Sequence, residues 1–260
     1  MRCALGVDGR LELADAWQHP DGIVSIRAES ELGVEGVRFV LGLDDDHSPF
    51  LSEFADDPML RRTLMNFRGY RPMRLASVAH ALLRALCGQL IESSRARKIE
   101  RRIIGSAMPA RDGLHMPPST AALARFATAD LRRLGLHARR AATLVRLCRS
   151  VELERLRGLP TAAAAERLLR ERGLGPWSVG VVCLEGLGRP ERGLARDLGL
   201  VKLCSALRGR PAEACETDEL LEPYGDWAGL ASVYLLLGFK NGLLPMPDSS
   251  GRSNALGRVA

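Results

Sequence analysis

The first forty or so residues alternate between apolar and polar side chains over three short segments. Residues 10–17, 22–29 and 36–43 carry apolar side chains at roughly every second position, and turn residues such as Asp21-Gly22 separate them. Alternation of this kind is typical of strands that bury one face. We therefore predict a small antiparallel β subdomain over residues 1–43, with a structural role.

From residue 44 onwards, apolar residues recur every three or four positions, which is the period of an amphipathic helix. The pattern over residues 75–104 fits either one long helix or two helices in series. Its apolar stripe consists of Leu75, Val78, Leu82, Leu83 and Leu86. We predict one helical domain over residues 44–239 and a disordered tail over 240–260, where Gly, Pro and Ser replace the periodic pattern. The expected fold class is mostly α with a small N-terminal β subdomain.

A glycine-rich break interrupts the helical pattern after residue 171. It reads Arg172-Gly173-Leu174-Gly175, and Pro176, a residue favoured at the first helical position, restarts the helix. Two glycines let the backbone turn tightly and approach another molecule closely. The free N–H groups and the positive dipole end of the next helix then favour a bound phosphate. The alternative is a plain turn between two core helices.

Asp197 is a lone carboxylate among apolar neighbours at helical spacing. Aspartate is common at helix starts, where its side chain accepts hydrogen bonds from backbone N–H groups, so an N-cap is one interpretation. A carboxylate held away from water is also suited to stabilising positive charge in a reaction. A phosphate-binding turn followed by such a carboxylate indicates an enzyme that acts on nucleic acid.

These elements resemble the helix-hairpin-helix/Gly-Pro-Asp superfamily of DNA glycosylases, particularly the bacterial alkylpurine glycosylases of the 3-methyladenine DNA glycosylase II type. The matching elements are Gly173-Leu174-Gly175-Pro176-Trp177, then Gly188-Arg189-Pro190, then Asp197. The resemblance implies the helix-hairpin-helix glycosylase fold, with Asp197 as the catalytic residue and Gly173 and Gly175 at the DNA backbone. Arg172 replaces a proline that family members often carry, and adds a candidate phosphate contact.

A second match covers residues 88–99, which resemble the segment of the same family that lies at the DNA minor groove. The resemblance implies that Gln89 contacts the duplex and that Leu90 fills the gap left by an extruded base. An apolar side chain in that gap recovers part of the unstacking free energy. Ordinary helix core is the alternative for Leu90.

The resemblance also places aromatic residues around the extruded base, and here the chain departs from the family. Trp177 matches one of them, and Trp227, with Tyr224 as a second choice, matches the aromatic residue of the closing helix. A core anchor at a helix start is the alternative for Trp227. Val181 and Leu198 occupy positions where bacterial relatives carry tyrosine. We therefore expect a leaner base pocket with weaker stacking.

Within the family that the chain resembles, the residue at one position distinguishes two types of reaction. Bifunctional members carry a lysine two residues after the second hairpin glycine, and this chain has Trp177 there. No amine nucleophile is expected, so the predicted enzyme is a monofunctional hydrolase that leaves an abasic site and uses no cofactor. Its expected partner is double-stranded DNA with a damaged base, bound by a monomer.

Composition agrees with a nucleic-acid partner. The chain has 260 residues, 37 Lys and Arg against 31 Asp and Glu, and a net charge of +6. Arginine, which dominates the cations, binds phosphate in a bidentate fork. Six scattered cysteines show neither zinc nor iron–sulfur spacing, and the acidic cluster at 44–47 is interpreted as a helix start, so no metal site is expected.

The absence of a signal-like or membrane-spanning apolar run leads us to expect a cytoplasmic protein associated with the bacterial nucleoid. Two other functions stay open at this point. A non-catalytic protein that binds damaged DNA with the same fold is the first. A helical transcription regulator is the second, and the apolar second helix of the hairpin speaks against it because it offers few base-reading side chains.

Overall fold

A three-stranded antiparallel sheet opens the computed structural model, which describes residues 1–246. Its strands are β1 (Arg2–Val7), β2 (Arg10–Gln18) and β3 (Val24–Arg27), in that order across the sheet. Asp8 and Gly9 join β1 to β2 with φ angles of 49° and 76°. Positive φ at both central residues is what a type I′ hairpin turn requires. The strand pattern was predicted for β2 and β3, whereas β1 was missed.

The prediction of a strand over residues 36–43 is wrong, because residues 36–41 belong to helix α1 (Glu31–Leu41) and Gly42 is its C-cap. Ser30 caps the helix by accepting a hydrogen bond from the Gly33 N–H at 3.0 Å, and Gly42 ends it with a φ of 61°. These capping residues decide the structure of a short segment whose apolar spacing fits both periods. The sheet and α1 share a small core of Leu5, Ala14, Ala16, Val37 and Val40.

The rest of the described chain is helical and packs around one large core. The helices are α2 (Ser48–Glu53), α3 (Arg61–Asn66), α4 (Val78–Gly88), α5 (Ser93–Ala107), α6 (Thr120–Ala124), α7 (Thr128–Arg133), α8 (Ala138–Ser150), α9 (Thr161–Leu169), α10 (Pro176–Val181), α11 (Leu198–Arg208), α12 (Glu216–Leu221) and α13 (Ala228–Lys240). A π-helical segment, Val182–Leu187, continues α10, and 3₁₀ turns cover Leu153–Gly158 and Glu222–Trp227. A short hairpin, β4 (Ala110–Arg111) and β5 (Leu114–His115), follows α5.

Helix α4 lies at the centre of this core and packs against α5, α8, α10 and the π-helical segment. Eight of its eleven residues are buried, and its two polar side chains, His80 and Arg84, lie four residues apart on one face. The helical stretch predicted over residues 75–104 therefore consists of two helices. The chain leaves the helical conformation at Gln89, whose ψ is 121°, and Leu90 follows with a φ of 53°, so α4 does not continue into α5.

The predicted disordered tail begins too early. Lys240 is the last residue of α13, and Leu244 is buried against Gly238. Residues 247–260, which make up the rest of that prediction, lie outside the described residues. Within residues 1–246, no helix is both long and apolar enough to cross a bilayer, and no group of three or more metal-ligating side chains occurs.

Candidate active site

The glycine-rich break is a tight hairpin between α9 and α10, fastened to α8. Gly173 has a φ of 96°, and a Cβ at this position would lie 2.5 Å from Oγ1 of Thr143 on α8. The exposed Arg172 contributes its carbonyl, which accepts a hydrogen bond from Arg146 Nη2 at 2.7 Å. By contrast, a Cβ on Gly175 would meet nothing within 4 Å. The fold requires Gly173, whereas Gly175 leaves open space in front of the N-terminus of α10.

Asp197 caps helix α11 and also lines a cavity beside the hairpin. Its Oδ1 accepts hydrogen bonds from the N–H groups of Gly199 at 2.7 Å and Leu200 at 3.4 Å. Its Oδ2 accepts one from Trp177 Nε1 at 2.8 Å. Within the described residues, Asp197 makes no ion pair. The N-cap interpretation is therefore confirmed, neutral donors alone orient the carboxylate, and the catalytic role of Asp197 stays a prediction.

The backbone just before Asp197 is held in an unfavourable conformation. Arg196 has a φ of 67°, in the left-handed region that costs a non-glycine residue about 1 kcal/mol. Its N–H donates to Oγ1 of the buried Thr217 at 2.7 Å. Thr217 was not identified in the sequence, and no motif signals it. The loop geometry that presents Asp197 depends on this contact with α12.

Gln89 and Leu90 connect α4 to α5 next to the hairpin. Gln89 Nε2 donates to the Gly173 carbonyl at 3.0 Å and to Ser178 Oγ at 2.9 Å. The Gln89 side chain thus binds the hairpin in this structure. Leu90 is 82% exposed, so the alternative that placed it in the helix core is wrong. The two segments that the resemblance assigned to DNA, 89–90 and 172–175, meet at one surface.

A cavity of about 620 Å³ opens beside this surface, within the range of ligand pockets. Predicted pocket residues Trp177, Val181 and Leu198 line it together with Asp197, Gln89 and Leu90. The Trp177 ring packs over the end of α4, where a Cβ on Gly88 would lie 2.7 Å from Trp177 Cη2. A side chain at position 88 would displace this ring from Asp197.

Trp227 and Tyr224, which were predicted to line the base pocket, lie elsewhere. Tyr224 is 4% exposed and packs edge-on against Phe54, the residue that follows α2, and burial raises the pKa of its hydroxyl. Trp227 packs against Phe50 of α2 and borders a separate cavity of about 180 Å³. Neither ring lines the cavity that contains Asp197, and Trp227 is the core anchor that was the alternative for it. Phe50 and Phe54 hold these rings in the core, and the local sequence around Trp227 gives no sign of that contact.

A charged group that the sequence analysis missed lies at the inner wall of the cavity. Arg84 of α4 binds Glu100 of α5 at 2.9 Å and Glu185 of the π-helical segment at 2.8 Å. Burial by itself would raise the pKa of Glu100, but hydrogen bonds with His80 and Arg84 hold it at about 2. Lys202 of α11 also lines the cavity. One amine therefore lines the cavity, although not at position 177, where the sequence analysis considered it.

No protein-family model matches the chain. It is 26% identical over 205 residues to a DNA-3-methyladenine glycosylase of Bacillus subtilis, covering 74% of this chain and 67% of that relative. It is 29% identical over 206 residues to a probable bifunctional transcriptional activator/DNA repair enzyme AlkA of Mycobacterium tuberculosis. That match covers 76% of this chain but only 41% of the longer relative.

Solved structures give the same result at the level of the fold. A 3-methyladenine DNA glycosylase from Archaeoglobus fulgidus superposes with a TM-score of 0.80 at 24% identity, covering 94% of this chain and 88% of the other. An 8-oxoguanine glycosylase/lyase from Clostridium acetobutylicum, solved with double-stranded DNA, superposes with a TM-score of 0.75 at 19% identity, covering 90% and 83%.

Proposed function

We propose that this chain, which has the helix-hairpin-helix DNA glycosylase fold, is a monofunctional DNA glycosylase that removes alkylated purines from duplex DNA. One observation carries the proposal. The Asp197 carboxylate is held only by neutral donors, in a cavity beside the glycine hairpin and the exposed Leu90. The similarity to a named DNA-3-methyladenine glycosylase over 74% of the chain supports the same substrate class.

The first task of such an enzyme is to extrude the damaged nucleotide, because its glycosidic bond is inaccessible inside the duplex. The open space at Gly175 allows a phosphate to approach the N-terminus of α10. Arg172 is exposed at the same turn and adds a cation. Leu90, whose side chain projects into solvent, occupies the gap left in the base stack. The hydrogen bonds of Gln89 to the hairpin keep this wedge and the phosphate site in register.

The second task is to break the bond between base and sugar. The sugar acquires oxocarbenium character as this bond breaks, and a nearby fixed negative charge stabilises it. Asp197 supplies that charge and also orients the attacking water. An alkylated purine is already cationic and leaves as a neutral base, so no general acid is required. The products are the free base and an intact strand with an abasic site.

The absence of lyase activity is a separate part of the proposal. A Schiff base with the sugar requires an unprotonated amine at the reacting carbon. Trp177 occupies the position where bifunctional relatives carry lysine. Lys202 is an exposed side chain elsewhere on the cavity wall. Borohydride added during turnover should therefore trap no covalent protein–DNA complex, and the product strand should break only after alkali treatment. Trapping that disappears in Lys202→Ala would contradict this assignment.

The decisive experiment measures base release from methylated duplex DNA by wild type and by Asp197→Asn. Asparagine caps helices as well as aspartate does, so the fold should be kept. We expect release to fall by about a thousandfold in the variant, while duplex affinity holds or rises because a negative charge is lost. Release by the variant at a near-wild-type rate would refute the role of Asp197. Tight binding by both proteins without release from any lesion would indicate a non-catalytic binder.

The same proteins test the nature of the partner. Backbone contacts displace counterions from DNA, so duplex affinity should fall steeply as salt rises from 50 to 200 mM. Fluorescence anisotropy with a labelled duplex measures this slope. An affinity that does not change over that range would count against DNA as the partner.

A further inference from the structure

The inner wall of the cavity carries charges for which the proposed reaction has no use. Arg84 lies there between two carboxylates: its Nη2 donates to Glu100 Oε1 at 2.9 Å and its Nη1 to Glu185 Oε2 at 2.8 Å. All three side chains line the same cavity as Asp197. Charged groups that line a cavity interact with a ligand bound in it, in addition to stabilising the fold.

The two carboxylates differ in how many of their oxygens are occupied. The Glu100 side chain is 5% exposed, and its two oxygens bind His80 at 2.8 Å, Arg84 at 2.9 Å and Arg97 at 3.2 Å. The Glu185 side chain is 24% exposed. Within residues 1–246, its carboxylate makes one hydrogen bond, the one from Arg84 to Oε2. Glu185 Oε1 is therefore an acceptor without a protein partner, on a side chain that lines the cavity.

Glu185 lies at the opposite end of the cavity wall from Asp197. Trp177, Val181 and Glu185 follow one another at intervals of four residues, so they share one face of the continuous helix formed by α10 and the π-helical segment. Trp177 touches Asp197 at the start of this row. Eight residues, about 12 Å along the axis at the α-helical rise, separate Trp177 from Glu185. π-Helical turns occur frequently at functional sites.

We infer that Glu185 is a specificity-determining residue that selects bases carrying a positive charge over neutral ones; the inference rests on the proposed function. Alkylation at a ring nitrogen makes a purine cationic and leaves N–H donors on its edge. A carboxylate with a free oxygen accepts a charge-assisted hydrogen bond from such a base. Because Val181 and Leu198 are not aromatic, a base in this cavity gains less from stacking. The attraction between Glu185 and a cationic base compensates for that loss.

The direction of charge movement separates the role of Glu185 from that of Asp197. Positive charge leaves the base and develops on the sugar as the bond breaks. Glu185 therefore stabilises the bound cationic base at least as well as the transition state, and it acts on substrate binding. Asp197 stabilises the transition state, and it acts on the rate. A purely structural role for Glu185 would not produce this division.

The test compares wild type and Glu185→Gln on two duplexes that differ in one base, either 7-methylguanine, which is cationic, or hypoxanthine, which is neutral. In single-turnover assays, the enzyme concentration for half-maximal rate should rise about tenfold on the methylguanine duplex. The maximal rate should change by less than about threefold. Both values should be unchanged on the hypoxanthine duplex. Equilibrium binding in an Asp197→Asn background makes the same comparison without turnover.

Glu92→Gln is the matched control, because Glu92 is an exposed carboxylate on the rim of the same cavity. It should leave the preference for the cationic base unchanged. An equal loss in both variants, or an unchanged preference in Glu185→Gln, would overturn the inference. If thermal unfolding shows that Glu185→Gln does not fold, Glu185→Asp replaces it. The shortened carboxylate should then weaken the preference in the same direction, and no change would also overturn the inference. Base release by wild type reports separately on the proposed function.

Discussion

The cavity has two acidic ends, and the protein holds their carboxylates by different means. Asp197 is oriented by the indole N–H of Trp177 and two backbone N–H groups, all of them neutral. Glu100 is held by His80, Arg84 and Arg97, which are cations or can become so. Both arrangements satisfy the carboxylate oxygens, and they leave different amounts of negative charge for a ligand.

This difference explains which end is suited to chemistry. A carboxylate held by neutral dipoles keeps its full charge to stabilise a developing cation. The charge of an ion-paired carboxylate is already balanced, and removing its partner leaves an uncompensated buried charge. We therefore expect Asp197 to act in catalysis, as proposed above, and Glu100 to act in stability. Glu185, paired through only one of its oxygens, is intermediate and acts on binding.

The largest expected effects come from neutralising each carboxylate in turn. Asp197→Asn should reduce base release by about a thousandfold and change the free energy of unfolding by less than about 0.5 kcal/mol, because asparagine replaces aspartate as N-cap. Glu100→Gln should lower the free energy of unfolding by about 3 kcal/mol, because three partners lose a buried charge. Urea denaturation of both variants measures these values. Equal destabilisation would remove the distinction between the two ends.

Acid titration sharpens the comparison further. The pKa of Glu100 is about 2 in the folded protein, below its ordinary value of 4.5. A lowered pKa stabilises the fold fully above the unfolded value, and this stabilisation is lost as the pH falls from about 4.5 to 2. Wild type should lose about 3 kcal/mol from this group over that window. In Glu100→Gln, the free energy of unfolding, measured by urea denaturation at several pH values, should not show this loss between pH 4.5 and 2. The same pH dependence in the variant as in wild type would contradict the assignment.

A smaller effect is expected at the neutral donor of Asp197. Trp177→Phe keeps an aromatic ring over Gly88 and removes the N–H group that donates to Asp197. Base release should fall about thirtyfold, which corresponds to about 2 kcal/mol for a hydrogen bond to a charged group. Trp227→Phe is the matched control, since the structure places that ring outside the cavity. A similar loss of activity in the control would show that Trp227 has the role first predicted for it.

The smallest effect in this series concerns the wedge. Leu90→Ala should slow base release from a paired duplex about tenfold, because the extruded state loses its apolar plug. Its free energy of unfolding should not change, since Leu90 is 82% exposed. Leu32→Ala, at a half-exposed leucine of α1, serves as the control for removing a surface leucine. Full activity of Leu90→Ala on paired DNA would rule out the wedge role.

The parts of the fold that the sequence predicted correctly are those in which local signals agree. Helix formers, two glycines and a proline defined the hairpin, and a helix cap was one of the two interpretations given for Asp197. The segment 36–43 was assigned wrongly because a few apolar residues fit a strand and a helix equally well. The capping residues Ser30 and Gly42 favour the helix. A prediction based on the apolar spacing of residues 36–43 does not take them into account.

The sequence by itself determined the helical class, the hairpin and the residue that carries the negative charge, because each depends on residues close together along the chain. Only the tertiary structure decided which other side chains surround the cavity. Trp227 packs against Phe50 of α2 instead, whereas Arg84, Glu185 and Lys202 were brought in from separate helices. Contacts between distant segments depend on how the helices pack, and local periodicity contains no information about that packing.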